Sequence, residues 1–408
     1  MNSKRPDSAP RYLGLKRTEL TLVIGLGVVV CVAVGVGALL ISRIGPAITQ
    51  TIASAIPPTG APTREATRNV PTSTRTRVPT ATPVPTATST PTPMPTATPE
   101  PGLSASRPLP PASVIVSAGW DMRMQEVVRG EAAAQAIRGA NQFNAEATAG
   151  HEYVLVRVHA KSIHTDQTSH QIRAGDFRLV GAERTEYSAG GVVAPEPRLE
   201  AEVFAGGEVE GWIVFSVVKD EAQLILIWDP LSDMTTHRVY VALSDGAALT
   251  IDPALDQIQP TDLGRSREQP APLGETAVTD DWAITALEMV RGEAAWSMAH
   301  AVNQFNNPPD AGMEYVAVRV RARYIKAEDS TGRIDSGYFK TLGSASVLYD
   351  SPSVVDPEPA LNATLFPGGT AEGWIIVQAK VDESNLLLVF DPLFDVNHQN
   401  RRFLSLMH

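Results

Sequence analysis

Residues 120–231 recur 162 positions later without a gap. Trp120 matches Trp282, Arg129-Gly-Glu-Ala-Ala133 matches Arg291-Gly-Glu-Ala-Ala295, and Asn141-Gln-Phe-Asn144 matches Asn303-Gln-Phe-Asn306. Gly206-Gly207, Gly211-Trp-Ile213 and Asp229-Pro-Leu231 return as Gly368-Gly369, Gly373-Trp-Ile375 and Asp391-Pro-Leu393. A constant offset over this length is duplication of one folding unit. The fold must therefore close within each of the blocks 113–245 and 275–408, with a connector over 246–274. Positions kept in both copies report what the fold requires, and shared function second.

Within each copy the apolar pattern is mostly that of strands. Val154, Val156 and Val158 alternate with Tyr153, Leu155, Arg157 and His159, and Val316, Val318 and Val320 repeat the pattern. Residues 211–218 and 224–228 are rich in β-branched and aromatic side chains and have the composition of core strands. Several short strands between turns predict a mainly β chain of two tandem antiparallel, immunoglobulin-like β-sandwiches. One segment departs from this. Residues 131–143 and 293–305 are Ala-rich and proline-free, and Ala295, Met298, Val302 and Phe305 share a helical face. They predict one short helix per module, crossing one end of the sandwich and stopping at Asn144 or Asn306.

The strings Gly-Glu-Ala-Ala, Asn-Gln-Phe-Asn, Gly-x-Glu-Tyr-Val-x-Val-Arg-Val, Gly-Gly-x-x-x-Gly-Trp and Asp-Pro-Leu resemble the telokin-like, immunoglobulin-like domains of bacterial exported proteins, a domain of unknown function. The resemblance covers roughly 113–243 and 275–405. It implies the sandwich fold and carries no catalytic residues with it.

Ahead of the duplication, residues 20–41 contain no charge. At about 1.5 Å per residue they cross a bilayer core of roughly 30 Å, so a transmembrane helix is expected over 20–42. Lys4, Arg5, Arg11, Lys16 and Arg17 precede it while only Arg43 follows closely, which places a cytoplasmic tail at 1–19 and the rest outside. The run is longer than a signal-peptide core of about 7–15 residues, which favours an uncleaved anchor in the cell membrane. Residues 43–112 are dominated by Pro, Thr and Ser and predict a disordered, extended stalk. The only cysteine, Cys31, lies in the apolar run, so neither module can hold a disulfide.

The net charge of −11 falls mainly on the two duplicated blocks, which excludes nucleic acid as a partner. His159, His164 and His170 form a loose group, but their counterparts are Arg321, Lys326 and Gly332, so solvated histidines are expected rather than a zinc site. Asp229 and Asp233, repeated as Asp391 and Asp395, suit a strand-end turn, with calcium as the alternative. Arg129 and Arg291 suit pairing with Glu131 or Glu152 at a strand-to-helix junction, with an anion site as the alternative. The candidate binding or structural positions are Arg129, Glu131, Asn141, Asn144, Asp229 and Asp233, with Arg291, Glu293, Asn303, Asn306, Asp391 and Asp395. No catalytic motif, metal site or cofactor is expected. Three functions remain: a membrane-anchored module pair binding protein or cell-wall glycan, a sensory or scaffold component, and a surface hydrolase.

Overall fold

The computed structural model describes residues 100–230, 237–392 and 395–407, all within one compact unit, Thr92–His408. The expected cytoplasmic tail, transmembrane helix and most of the stalk lie outside the described residues. No helix among the described residues is long and apolar enough to cross a membrane.

Among the described residues the first copy has ten strands: β1 (Val114–Ser117), β2 (Trp120–Arg129), β3 (His151–Ser162), β4 (His170–Arg173), β5 (Phe177–Val180), β6 (Glu186–Ser188), β7 (Glu200–Val203), β8 (Glu208–Val218), β9 (Ile225–Trp228) and β10 (Val239–Ala242). Helix α1 (Gly130–Ala140) follows β2. One sheet runs β1-β2-β3-β8 and the other β10-β9-β5-β6, with β4 and β7 paired beside them. All of these pairings are antiparallel.

The second copy repeats the plan. Strands β11 (Thr276–Val278), β12 (Trp282–Arg291), β13 (Met313–Tyr324) and β18 (Thr370–Lys380) form one sheet. Strands β20 (Arg402–Ser405), β19 (Leu387–Phe390), β15 (Phe339–Leu342) and β16 (Leu348–Tyr349) form the other, and β14 (Gly332–Ile334) pairs with β17 (Ala363–Leu365). Helix α2 (Glu293–Val302) follows β12. Even the irregularity in β2 between Met124 and Glu126 returns between Ala286 and Glu288. Only the last strand departs from the offset. Val239 faces Trp228 while Arg402 faces Phe390, so the preceding loop is one residue longer in the second copy.

Alternation along β3 explains the layering. Val154, Val156, Val158 and Ala160 face the second sheet and join Phe177, Leu226 and Trp228 in the core. Tyr153 and Leu155 point the other way and are buried as well, against Ala133 and Ile137 of α1. The helix thus lies on the outer face of the first sheet as a third layer, not across one end as expected. It accounts for why Tyr153, Val154, Leu155 and Val156 are all apolar: both faces of the strand are covered there. Beyond the helix, Arg157 and His159 are only half-buried.

The disordered stalk was expected to extend to residue 112, but residues 100–112 are folded onto the first copy. The Leu109 amide donates to the Tyr240 carbonyl at 2.8 Å, and the Tyr240 amide to Gly102 at 2.9 Å. Ala105 and Leu109 add apolar contacts with the first copy. The same loop precedes the second copy, where Ala271 donates to Phe403 at 2.8 Å and Phe403 to Gly264 at 2.7 Å. The repeated unit therefore begins before residues 113 and 275, and the end of the connector belongs to the second module.

The two copies dock. The outer face of the sheet holding β5, β9 and β10 is covered by Ala105, by Ala247 and Leu249 of the connector, and by Phe366 of the second copy. The Phe366 amide donates to the Arg184 carbonyl at 2.8 Å, and the Arg184 guanidinium donates to Pro367 and Thr250 carbonyls at 2.8 Å each.

Candidate functional site

At the strand-to-helix junction the repeated arginine pairs with a glutamate of the neighbouring strand. Arg129 pairs with Glu152 through Nε at 3.2 Å and through Nη2, and Glu152 also accepts from the Asp220 amide at 3.1 Å. Arg291 makes the same pair with Glu314 through Nε at 3.0 Å and adds the Glu383 carbonyl at 3.1 Å. Of the two expected partners, Glu152 is the one used. Glu131 instead accepts from Arg138 at 2.7 Å and Gln135 at 3.1 Å along the exposed side of α1. Those bonds hold its carboxyl below the usual carboxylate range. Glu293 is exposed in the first turn of α2.

The Asn-Gln-Phe-Asn motif forms the turn after each helix. Asn141 and Asn303 follow the last helical residues, earlier than the expected stops. Their carboxamide oxygens accept from the amides of Phe143 at 3.0 Å and Phe305 at 3.1 Å. Asn144 then ties helix to loop: Nδ2 donates to Ile137 and Val193 carbonyls, and Oδ1 accepts from the Val193 amide, each at 2.9 Å. Asn306 does the same with Ala299, at 2.8 Å, and with Val355, at 2.9 Å in both directions.

The consequence is that Phe143 is 84% exposed and Phe305 is 81% exposed. Phe305 was expected on the buried face of the helix. The turn removes it, and Ala295 and Ala299 are the buried positions, with Met298 and Val302 half-buried. Burying a phenylalanine is worth about 1.5–3 kcal/mol. Two rigid turns that hold such a side chain in solvent therefore forgo that stabilisation twice, at equivalent positions.

The Asp-Pro-Leu aspartates serve as ion-pair partners. Asp229 binds Arg238 at 2.8 Å. Asp391 takes a bidentate grip from Arg401 at 3.0 and 2.9 Å, with His398 at 3.0 Å. Burial pushes the Asp391 carboxyl up, but the bonds from Arg401 and His398 outweigh it and hold it below the usual range. Asp395 accepts from the Asn400 amide at 2.5 Å. Asp233 lies outside the described residues.

At the opposite ends of β2 and β12 from these junctions lie two equivalent clefts with different chemistry. The first, about 620 Å³, is lined by Trp120, His164, His170, Arg173, Asp176 and Pro230. The second, about 490 Å³, is lined by Trp282, Lys326, Arg333, Tyr338, Pro392 and Asp395. The three histidines grouped in the sequence part company here. His159 faces Glu208 at 3.4 Å on β3, while His164 and His170 stack with ring centroids 3.4 Å apart. Asp166 accepts from His170 at 2.9 Å, and from the amide and hydroxyl of Thr168 at 2.9 and 2.7 Å. The His170 and Thr168 bonds hold the Asp166 carboxyl far below the usual range. Burial, reinforced by His170, holds His164 below the ordinary imidazole range. The His-x-Asp-x-x-x-His spacing was visible in the sequence, but its absence from the second copy concealed it.

No protein-family model matches the chain, and no curated protein matches it. Among solved structures it is similar to the yjhA protein of Bacillus subtilis, at 13% identity over 33% of this chain and 98% of that one, TM-score 0.24. It is similar to a putative lipoprotein, ycdA, of Bacillus subtilis, at 19% identity over 38% of this chain and 44% of that one, TM-score 0.25. The secreted protein MPT63 of Mycobacterium tuberculosis shares 11% identity over 34% of this chain and 98% of that one, TM-score 0.24. At these values the likenesses assign no function to this chain, and its resemblance to telokin-like domains holds only at the level of the β-sandwich.

Proposed function

We propose that this chain is a non-enzymatic binding protein of the cell surface, anchored through residues 20–42 with its N-terminus in the cytoplasm. On this reading the Pro-Thr stalk carries the two modules away from the lipid. They grip one macromolecular ligand, a protein or a cell-wall glycan, at two points.

The observation that carries this reading is the pair of exposed phenylalanines, Phe143 and Phe305, each presented by an asparagine-locked turn. The asparagines of this motif are engaged in holding the turn, which leaves the ring, with the exposed Gln142 or Gln304 beside it, free for an outside contact. Two weak contacts on one rigid chain reinforce each other, because the second closes at a high effective concentration.

Retention of the full-length chain, in mild detergent, on isolated cell-wall polymer and on immobilised envelope protein tests the reading. Phe143→Ser or Phe305→Ser is expected to weaken retention about tenfold or more, and the double variant to abolish it. The melting profile should not move, because neither ring contributes to a core. Equal retention of wild type and double variant on both supports would refute it.

A further inference from the structure

We propose that the first cleft is a site for a divalent transition metal of the zinc class, with His164, Asp166 and His170 as its protein ligands. One ligand atom from each lies within 4.8 Å of the others. The His170 Nε2 and Asp166 Oδ1 atoms are hydrogen-bonded 2.9 Å apart, and a separation of about 3.4 Å would let both bind one tetrahedral zinc with bonds of about 2.0–2.2 Å. Nε2 of His164 is buried and finds no hydrogen-bond partner among the described residues. Thr168 fixes the carboxylate through its amide and hydroxyl, the outer support that metal ligands require. Gly119 makes room for the ring: a Cβ there would stand 2.1 Å from His164 Cε1.

The second copy supplies a control within the same molecule. Lys326 stands at the position of His164, and its ammonium lies 3.4 Å from Glu328 and 3.9 Å from Asp281. Glu328 is the counterpart of Asp166. The second cleft thus holds a built-in cation where the first offers imidazoles and a carboxylate. Three protein ligands leave one coordination position open, the pattern of an open site, and His164 and His170 border the cleft. Loading turns the two rings out of their parallel stack, since the metal must lie in the plane of each.

The site goes beyond the binding reading and does not depend on it. The test is titration of the untagged, chelator-stripped full-length chain with Zn²⁺ by calorimetry and with Co²⁺ by visible absorption. One equivalent is expected to bind, with a Co²⁺ ligand-field band. His164→Ala and His170→Ala should each lower the affinity at least 10–100-fold, while His159→Ala should not. No saturable binding by the wild type overturns the proposal. So does binding that survives in both His164→Ala and His170→Ala.

A different observation points to a second copy of this chain as a partner. Phe366 locks the modules together from the Gly-Gly turn before β18, where it is 2% exposed. Its counterpart before β8, Phe204, is 63% exposed. The surface that receives Phe366 also has a counterpart. Leu342, Leu387 and Ser346 replace Val180, Ile225 and Arg184, and they line an open cleft of about 360 Å³ on the second copy. Val347 and Leu348 are exposed beside it, where the first copy has Thr185 and Glu186.

The chain thus carries an unused knob on one module and an unused socket on the other, and we infer that Phe204 of one chain docks in this socket of a second. Knob and socket are different surfaces, so the contact is head-to-tail and can propagate. Sedimentation of the full-length chain in detergent is expected to show mass rising with concentration. Phe204→Ala and Val347→Asp should each lose this, and their mixture should regain a dimer, because each retains the half the other lacks. A wild type that stays monomeric, or association undiminished in both variants, overturns the inference.

Discussion

Valine in place of Gly373 is expected to prevent the second sandwich from closing. The chain segment ahead of β18 crosses directly beneath this residue, and the crossing is held by backbone bonds. The Trp374 amide donates to Pro359 at 2.8 Å and the Leu361 amide to Trp374 at 3.0 Å. A Cβ on residue 373 would stand 2.4 Å from the Leu361 nitrogen and 2.5 Å from the Ala360 carbonyl carbon. These are backbone atoms, so no rotamer change can relieve the clash. Overpacking against side chains costs about 1–3 kcal/mol. Against backbone, even alanine should reach the top of that range, and valine should exceed it. Gly211 is in the same position, 2.3 Å from Leu199 and 2.5 Å from Arg198, which explains why both copies keep Gly-Trp-Ile. Urea unfolding followed by tryptophan fluorescence is the measurement. A Gly373→Ala variant within about 0.5 kcal/mol of wild type, the range of a neutral surface change, would contradict the account.

Phe366→Ala is expected to have the second largest effect, through the contact between modules. The ring shares a buried cluster with Val180, Ile225, Ile227, Tyr240 and Leu249, so its loss opens a cavity where the second copy meets that face. Truncating a buried phenylalanine costs about 3–5 kcal/mol. Here the loss falls on coupling, because each sandwich keeps its own core. Calorimetry of the wild type should show one main transition for the two modules, and the variant should show two. A single transition shifted by less than about 2 °C would indicate that the ring does not couple them.

Much of the architecture was legible because it rests on alternation and repetition. The valines of β3 and β13 marked the core, and the glycine pairs marked the turns. The place of the helix was less legible, although the sign was present. Tyr153 and Leu155 occupy what should be the solvent face of an outer sheet, and apolar residues there require a third layer. The folded segment 100–112 leaves little trace in the sequence because its place depends on backbone hydrogen bonds, which Gly102 and Gly264 mark only faintly. The candidate sites were hardest. Repetition points to what the fold needs, and Arg129, Asn144, Asp229 and their counterparts each proved to be held in internal bonds. The histidine pair occurs in one copy only, so repetition does not mark it.

The leading segment of each copy runs parallel to that copy's last strand, as at Leu109 beside Val241 and Ala271 beside Leu404. If the chain were pulled from its N-terminal side and from the second module, the load would enter the first module at residue 100 and leave it just after β10. The two act in opposite directions along neighbouring parallel segments. The bonds joining Leu109 to Tyr240 and Ala242, and Gly102 to Tyr240, are therefore loaded together in shear and must break together, not one after another. Under traction, residues 100–112 and β10 would hold or part as one unit.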